Sequence, residues 1–313
     1  VSVVRLGECS GQTKQVTSNA GSEIKILIGV KEERVMDECL AVASGESQTN
    51  QIRPDGRYIY CVAPIIDLEN KGLRGIGGSH IYQIAFQDIG AIVHDCPVVP
   101  YQGEDEVVKA WLLEHHSVID AVWEFTGTVL PMTFDVIIKG GETCGASDNV
   151  IRWLKDNYVT FKSKLESFQQ KVELRIQVIW DRAPVLKRVA CEDPEVKQLQ
   201  AEMDGKPQGM AFFYKRKIEK RIKTVVDELA DSIYQNYLNR IQALVSESRI
   251  EKPKRLEQKE MLLNLSVLAA KERIGDIGNI LGELQGQQGI DVYFTGPWPP
   301  YSFVAGSMGV EEL

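Results

Sequence analysis

The chain reads as an α+β protein of two sheet-and-helix domains, the second enlarged by long helices. Three features of its 313 residues lead there. Tyr58, Tyr60 and Val62 alternate with Ile59 and Cys61 as a strand does, and Tyr82, Ile84 and Phe86 alternate with polar or small neighbours, the two-residue period of a half-buried strand. Between Asp105 and Phe125 they recur instead at Val108, Trp111, Leu112, His115, Ile119, Val122 and Trp123, the 3.6-residue period of an amphipathic helix. From Val172 onward the patterns succeed one another as strand, helix, strand, strand, helix, strand.

The elements follow in order. Residues 1–53 form an unassigned extension in which Ile24–Val30 reads as a strand and Glu32–Ala43 as a helix, flanked by Ser- and Gly-rich loops. Pro54-Asp55-Gly56 is a turn signal that opens a domain expected over 54–140. It begins with the strand at 58–62. A glycine-rich loop follows, then a hairpin of Tyr82–Phe86 with Ala91–Asp95 turning at Asp88-Ile89-Gly90, the helix at 105–125, and a β-rich run from Thr128 to Ile138. Gly140-Gly141 and Cys144–Ser147 mark the boundary, with Ser147 or Asp148 able to cap the next helix.

The second domain, 145–304, is expected to hold a helix at Asn149–Gln169, a strand at Val172–Trp180 and a helical stretch from Pro194 to Arg240 interrupted at Asp204–Pro207. Strands at Gln242–Glu247 and Met261–Ala269, a helix at Lys271–Leu284 and a strand at Ile290–Phe294 complete it, leaving 305–313 as a tail. Counted from Val172, this βαββαβ order is the ferredoxin-like split βαβ.

Composition excludes several function classes. Hydrophobic residues are 43% and charged residues 26%, as in a folded globular protein. A net charge of -8 disfavours a nucleic-acid partner, which needs a large positive field. No apolar run approaches the roughly 18 residues of a membrane span. With no basic segment and apolar signal core near residue 1, a cytoplasmic location is expected. The six cysteines form no C-x-x-C pair, so neither a disulfide scaffold nor a zinc ribbon is expected.

Candidate chemistry is sparse. Glu114-His115-His116 with Asp120 is the best enzyme-like cluster, yet adjacent histidines diverge by about 100° on a helix, whereas a zinc pair wants the i, i+4 spacing. A packed helix histidine beside Trp111 and Ile119 is favoured; an enzyme or small-molecule binder using His115 or His116 in an interdomain pocket is the alternative. His94-x-Cys96 supplies two ligands where four are needed. The loop Gly72-x-x-Gly75-x-Gly77-Gly78-Ser79 lacks the lysine of a phosphate cradle and leads into a strand. No nucleophile motif is present, and no metal or organic cofactor is expected.

Two segments suit contact with partners. Lys215, Arg216, Lys217, Lys220, Arg221 and Lys223 put six positive charges into nine residues of a helix whose apolar stripe runs through Ile218, Ile222, Val225, Leu229, Ile233 and Tyr237. Lys217, Lys220, Arg221, Ile222, Val225 and Leu229 are the candidate partner surface. Asp227, Glu228 and Asp231, on the polar side, are read as balancing the basic end. The other segment is Gly296-Pro297-Trp298-Pro299-Pro300-Tyr301-Ser302-Phe303-Val304, where three of twelve prolines fall within four residues. Its backbone is expected to be extended and pre-ordered, presenting Trp298, Pro299, Pro300, Tyr301 and Phe303 as an interaction or interdomain docking strip.

That terminal motif, preceded by Val292-Tyr293-Phe294-Thr295, resembles the closing signature of the gas vesicle protein F/L family. Tyr58–Val62, the Asp88–Val93 hairpin, and His116 ahead of Val118–Val122 and Val129–Phe134 match in order, with Thr133 where the family typically has arginine. The resemblance covers residues 57 to 304. It implies two ferredoxin-like domains, the first modified, in a non-enzymatic cytoplasmic accessory protein of gas vesicle assembly. The partners it implies are the major shell protein and other accessory proteins, with either a transient chaperone or a minor wall component as the role.

Overall fold

The computed structural model describes residues 26–27, 55–69, 71–141, 144–253 and 259–304. The strand expected at Ile24–Val30 is described at Ile26–Leu27 (β1) alone, and the helix expected at Glu32–Ala43 lies outside the described residues. Contacts divide the described residues into two units, one of residues 55–173 with 298–304, the other of 174–297 with 26–27.

In the first unit, β2 (Gly56–Pro64), β3 (Ile81–Phe86), β4 (Ile89–Cys96), α1 (Asp105–Thr126), β5 (Leu130–Pro131), β6 (Ile137–Lys139) and α2 (Ala146–Phe168) follow in sequence. The sheet order is β3-β4-β2-β5, with β6 also on β2. The β3–β4 hairpin turns at Gln87-Asp88, one residue before the expected turn, with Gln87 at φ 53°. Helix α1 stops where Gly127, at φ 71°, sends its N–H back to Trp123 O at 2.8 Å, the left-handed cap that glycine adopts without a Cβ penalty. The β-rich run after it is not one strand. β5 and β6 are separated at 132–136, where Asp135 takes φ 71°.

β2 departs from simple alternation. Its register with β4 runs Tyr58↔His94, Ile59↔Val93, then Cys61↔Ile92, so Tyr60 is the extra residue of a β-bulge. Tyr58, Tyr60, Cys61 and Ala63 consequently all join one core with Ile92, Cys96 and the α1 residues Val118, Ile119 and Val122. Ile59, Val62 and Val93, equally buried, belong to the face on which α2 packs with Val150, Leu154 and Phe161. The cap of α2 is Gly145, whose N–H is taken by the Asp148 carboxylate at 3.1 Å; Ser147 instead receives a hydrogen bond from Arg57. Because α2 packs on this sheet, the contact division falls at 173–174 and not at the Gly-rich stretch 140–145.

The second unit holds most of β7 (Lys171–Trp180), then α3 (Arg182–Glu192), α4 (Pro194–Met203), α5 (Gln208–Gln242), β8 (Glu247–Ile250), β9 (Glu260–Ala270), α6 (Ile274–Gln285) and β10 (Ile290–Trp298). The sheet order is β1-β10-β7-β9-β8. α5 runs on through Gln242, so the strand expected at 242–247 is the helix end, a turn and then β8. α3, unread in the sequence, is capped by Asp181, which accepts from Ala183 N at 2.9 Å. Asp193 caps α4 the same way through Val196 N, with Pro194 in the first turn. In each unit, numbering the first four described strands of its main sheet from β2 or from β7, the sheet lists them as fourth, first, third, second. The first crossover of the first unit is a loop with a 3₁₀ turn at Ile76–Gly78 in place of a helix.

Candidate functional site

The histidines of the first unit are built into its core. Helical phase carries His115 inward to 1% exposure, and β4 does the same for His94. His115 Nε2 lies 3.2 Å from the carbonyl of Met132, which only accepts, so Nε2 carries the proton. Nδ1 is then the acceptor for the Tyr58 hydroxyl at 2.9 Å, and Tyr58 Oη in turn accepts the Asp135 N–H. Tyr60 Oη accepts the Ile76 N–H at 2.8 Å, leaving its proton for His94 Nδ1, also at 2.8 Å. His94 Nε2 donates to Tyr101 at 2.9 Å. Burial penalises the imidazolium and brings both rings down to about 4. Both are neutral near pH 7, with each ring nitrogen engaged.

His116, adjacent in sequence, points elsewhere as expected. Its Nδ1 meets the Tyr301 hydroxyl at 2.8 Å, and partial desolvation lowers its pKa. The Glu114 carboxylate accepts the Gly77 N–H at 2.9 Å, so that amide of the glycine loop is taken by a carboxylate. Gly75 is required by contact: a Cβ there would stand 2.2 Å from Tyr60 Oη. Among the described residues no three His, Cys, Asp or Glu side chains group to hold a metal ion. No helix among them is long and apolar enough to cross a membrane.

The proline-aromatic strip is part strand and part helix. β10 extends to Trp298, and Tyr301–Val304 forms a helical turn (α7) in place of the expected extended backbone. The turn closes because Pro299 and Pro300 carbonyls accept from Tyr301 N and Phe303 N at 2.8 and 3.1 Å. Pro299, Pro300, Phe303 and Val304 are buried, Trp298 and Tyr301 half-buried. Glu173 accepts from both the N–H and the hydroxyl of Ser302. Lys164 donates to the carbonyls of Phe303 and Val304 at 3.2 and 3.3 Å.

On α5, Ile218, Val226, Ala230, Ile233 and Tyr237 are buried, while Ile222, Val225 and Leu229 are half-buried. α3, α4, α6 and β9 all pack on this helix, so the stripe is covered more fully than a small sheet alone would manage. Lys217 and Lys220 are exposed. Arg221 is committed: it clasps Asp193 at 3.1 Å and Glu195 at 3.0 Å, fastening α5 to the cap of α4. Asp227 likewise pairs with Arg182. The six-cation run was legible in the sequence, but the ties of Arg221 were not, since Asp193 stands 28 positions away.

Comparison with known proteins agrees with this architecture. The profile described as "Gas vesicle synthesis protein GvpL/GvpF" matches residues 56–305. Gas vesicle protein L1 of Halobacterium salinarum is 33% identical over 260 residues, 80% of this chain and 90% of that one. Gas vesicle protein L of Haloferax mediterranei is 31% identical over 286 residues, covering 80% and 87%. The crystal structure of GvpF from Anabaena sp. superposes with a TM-score of 0.63 at 18% identity, covering 80% of this chain and 98% of that one, a likeness of fold.

Proposed function

Because the chain belongs to the gas vesicle synthesis protein GvpL/GvpF family, we propose that it is a non-enzymatic accessory protein of gas vesicle assembly. The observation that carries this reading is the family match across 56–305, which takes in every described strand of the two sheets except β1. The neutral, fully engaged rings of His94 and His115 support a structural role for the cluster. Both units are read as ferredoxin-like, the first modified, on the strand order they share. The protein acts in the cytoplasm, in association with gas vesicles, binding the major shell protein and other accessory proteins.

The contact with the shell protein is assigned to α5. Lys217 and Lys220 orient acidic groups of the partner, and the half-buried Ile222, Val225 and Leu229 supply apolar area beside them. Arg221 holds the helix in place through Asp193. The strip at Trp298, Pro299, Pro300, Tyr301 and Phe303 docks within its own chain. Hydrogen exchange of the full chain with and without shell protein tests the reading. Protection over 217–229, reduced when Lys217 and Lys220 are reversed to glutamate, is expected. Unchanged exchange throughout would overturn it.

A further inference from the structure

At the start of α5 the helix exposes large apolar side chains. Phe212 and Phe213 are 55% and 66% exposed, with exposed Met210 one turn before Phe213. Arg216 lies over the Phe212 ring at 5.3 Å and Lys217 over Tyr214 at 5.6 Å. Among the described residues Lys215, Arg216 and Lys217 have no carboxylate partner. Adjacent exposed aromatics rimmed by unpaired cations have the composition of an interface centre, which is enriched in aromatic residues and arginine.

The first unit carries the complement. The stretch 98–107 exposes Val98, Val99 and Val107 around Glu104, Asp105 and Glu106. Lys109 pairs with Glu106 at 2.7 Å and feels the charge of Asp105, but among the described residues no salt bridge is made by Glu104 or Asp105. One patch is aromatic and basic, the other aliphatic and acidic, and each is exposed.

We propose that the chain self-associates head to tail, the Met210–Lys217 patch of one copy seating the 98–107 stretch of a second copy. Phe212 and Phe213 lie against Val98, Val99 and Val107, while Lys215 and Arg216 face Glu104 and Asp105. Because each copy offers one surface of each kind, the contact is heterologous, and repeating it gives a ring or an open chain of copies. This inference goes beyond the assembly role and does not depend on it.

Sedimentation of the full chain over a concentration series, at low and high salt, tests it. The wild type should form dimers and larger species that dissociate as salt screens the charges. Lys215→Glu with Arg216→Glu, or Glu104→Arg with Asp105→Arg, should each weaken self-association at least about tenfold. Phe212→Ser with Phe213→Ser, which alters exposed rings only, should do the same and serves if a charge variant melts below the wild type. The deciding mixture combines the two charge-reversed variants. Each keeps one native surface, and the two reversed surfaces are again opposite in charge, so the mixture should regain the association that each variant alone has lost. A wild type monomeric throughout, variants that associate like the wild type, or a mixture that stays monomeric would overturn the proposal. So would a monomeric wild type that binds vesicles of anionic lipid through Phe212 and Phe213.

Discussion

Tyr301 reaches back across 185 positions to place its hydroxyl 2.8 Å from Nδ1 of His116, the two rings edge to face at 5.2 Å. With Glu173 holding Ser302 and Lys164 holding the carbonyls of Phe303 and Val304, side chains from β7, α1 and α2 fasten the last described turn. A segment that composition marks as a display of aromatics is therefore anchored by its own chain.

Truncation should measure that anchoring. Phe303 is 2% exposed, and Phe303→Ala is expected to cost about 3–5 kcal/mol of stability. Tyr301→Phe, which keeps the ring and loses the hydroxyl, should cost about 1 kcal/mol. Trp298→Ala should cost less than Phe303→Ala because Trp298 is half-buried. Urea denaturation midpoints check the ranking.

Glu173 is 7% exposed and accepts twice from Ser302. Glu173→Ala leaves the Ser302 N–H without that acceptor and is expected to cost about 1–3 kcal/mol. Ser302→Ala removes only the hydroxyl bond and should cost less. Thermal melts of the two variants give the comparison.

Stability should fall in mild acid. His94 and His115 titrate at about 4 in the fold against 6.5 when free. Above 6.5 both states are neutral and the contribution is complete. Between 6.5 and about 4 the unfolded chain takes up protons that the fold refuses, so stability drops as pH falls, by up to about 3 kcal/mol per histidine. The carboxylates of Asp88, Asp193 and Glu283, held below their ordinary range chiefly by hydrogen bonds from Lys162, Arg221 and Arg240, lose their contribution further down. Melting temperature followed from neutral pH downward should decline first in the histidine window, and less steeply in His115→Gln.

Gly75→Ala is expected to destabilise the first unit by about 1–3 kcal/mol, because the added methyl meets Tyr60 Oη and Ile81 Cγ2 at 2.2 and 2.9 Å. Tyr60 is held there by Ile76 and His94 and has little room to yield. Near-ultraviolet circular dichroism and the urea midpoint report the change.

Local signals made part of this structure legible. α1 was readable almost to the residue because its 3.6 period is long and Gly127 ends it. β2 was readable as a strand, but not the bulge at Tyr60, since alternation says nothing about a partner strand's register. α3 carried a usable signal in Asp181 and Pro184 ahead of Val185 and Val189, the N-terminal cap pattern of a short helix. β8 was misplaced because Ile241, Ala243, Leu244 and Val245 suit a helix end as well as a strand. The histidine ladder was beyond reach, because Tyr58 and His115 stand 57 residues apart and nothing in a single sequence pairs them.

This member of the GvpL/GvpF family is proposed to serve gas vesicle assembly. Its gene can be deleted in a host that forms gas vesicles and the vesicles counted by electron microscopy. Absent or malformed vesicles, restored by the full chain, are expected. Vesicles unchanged in number and shape without it would overturn the assembly role.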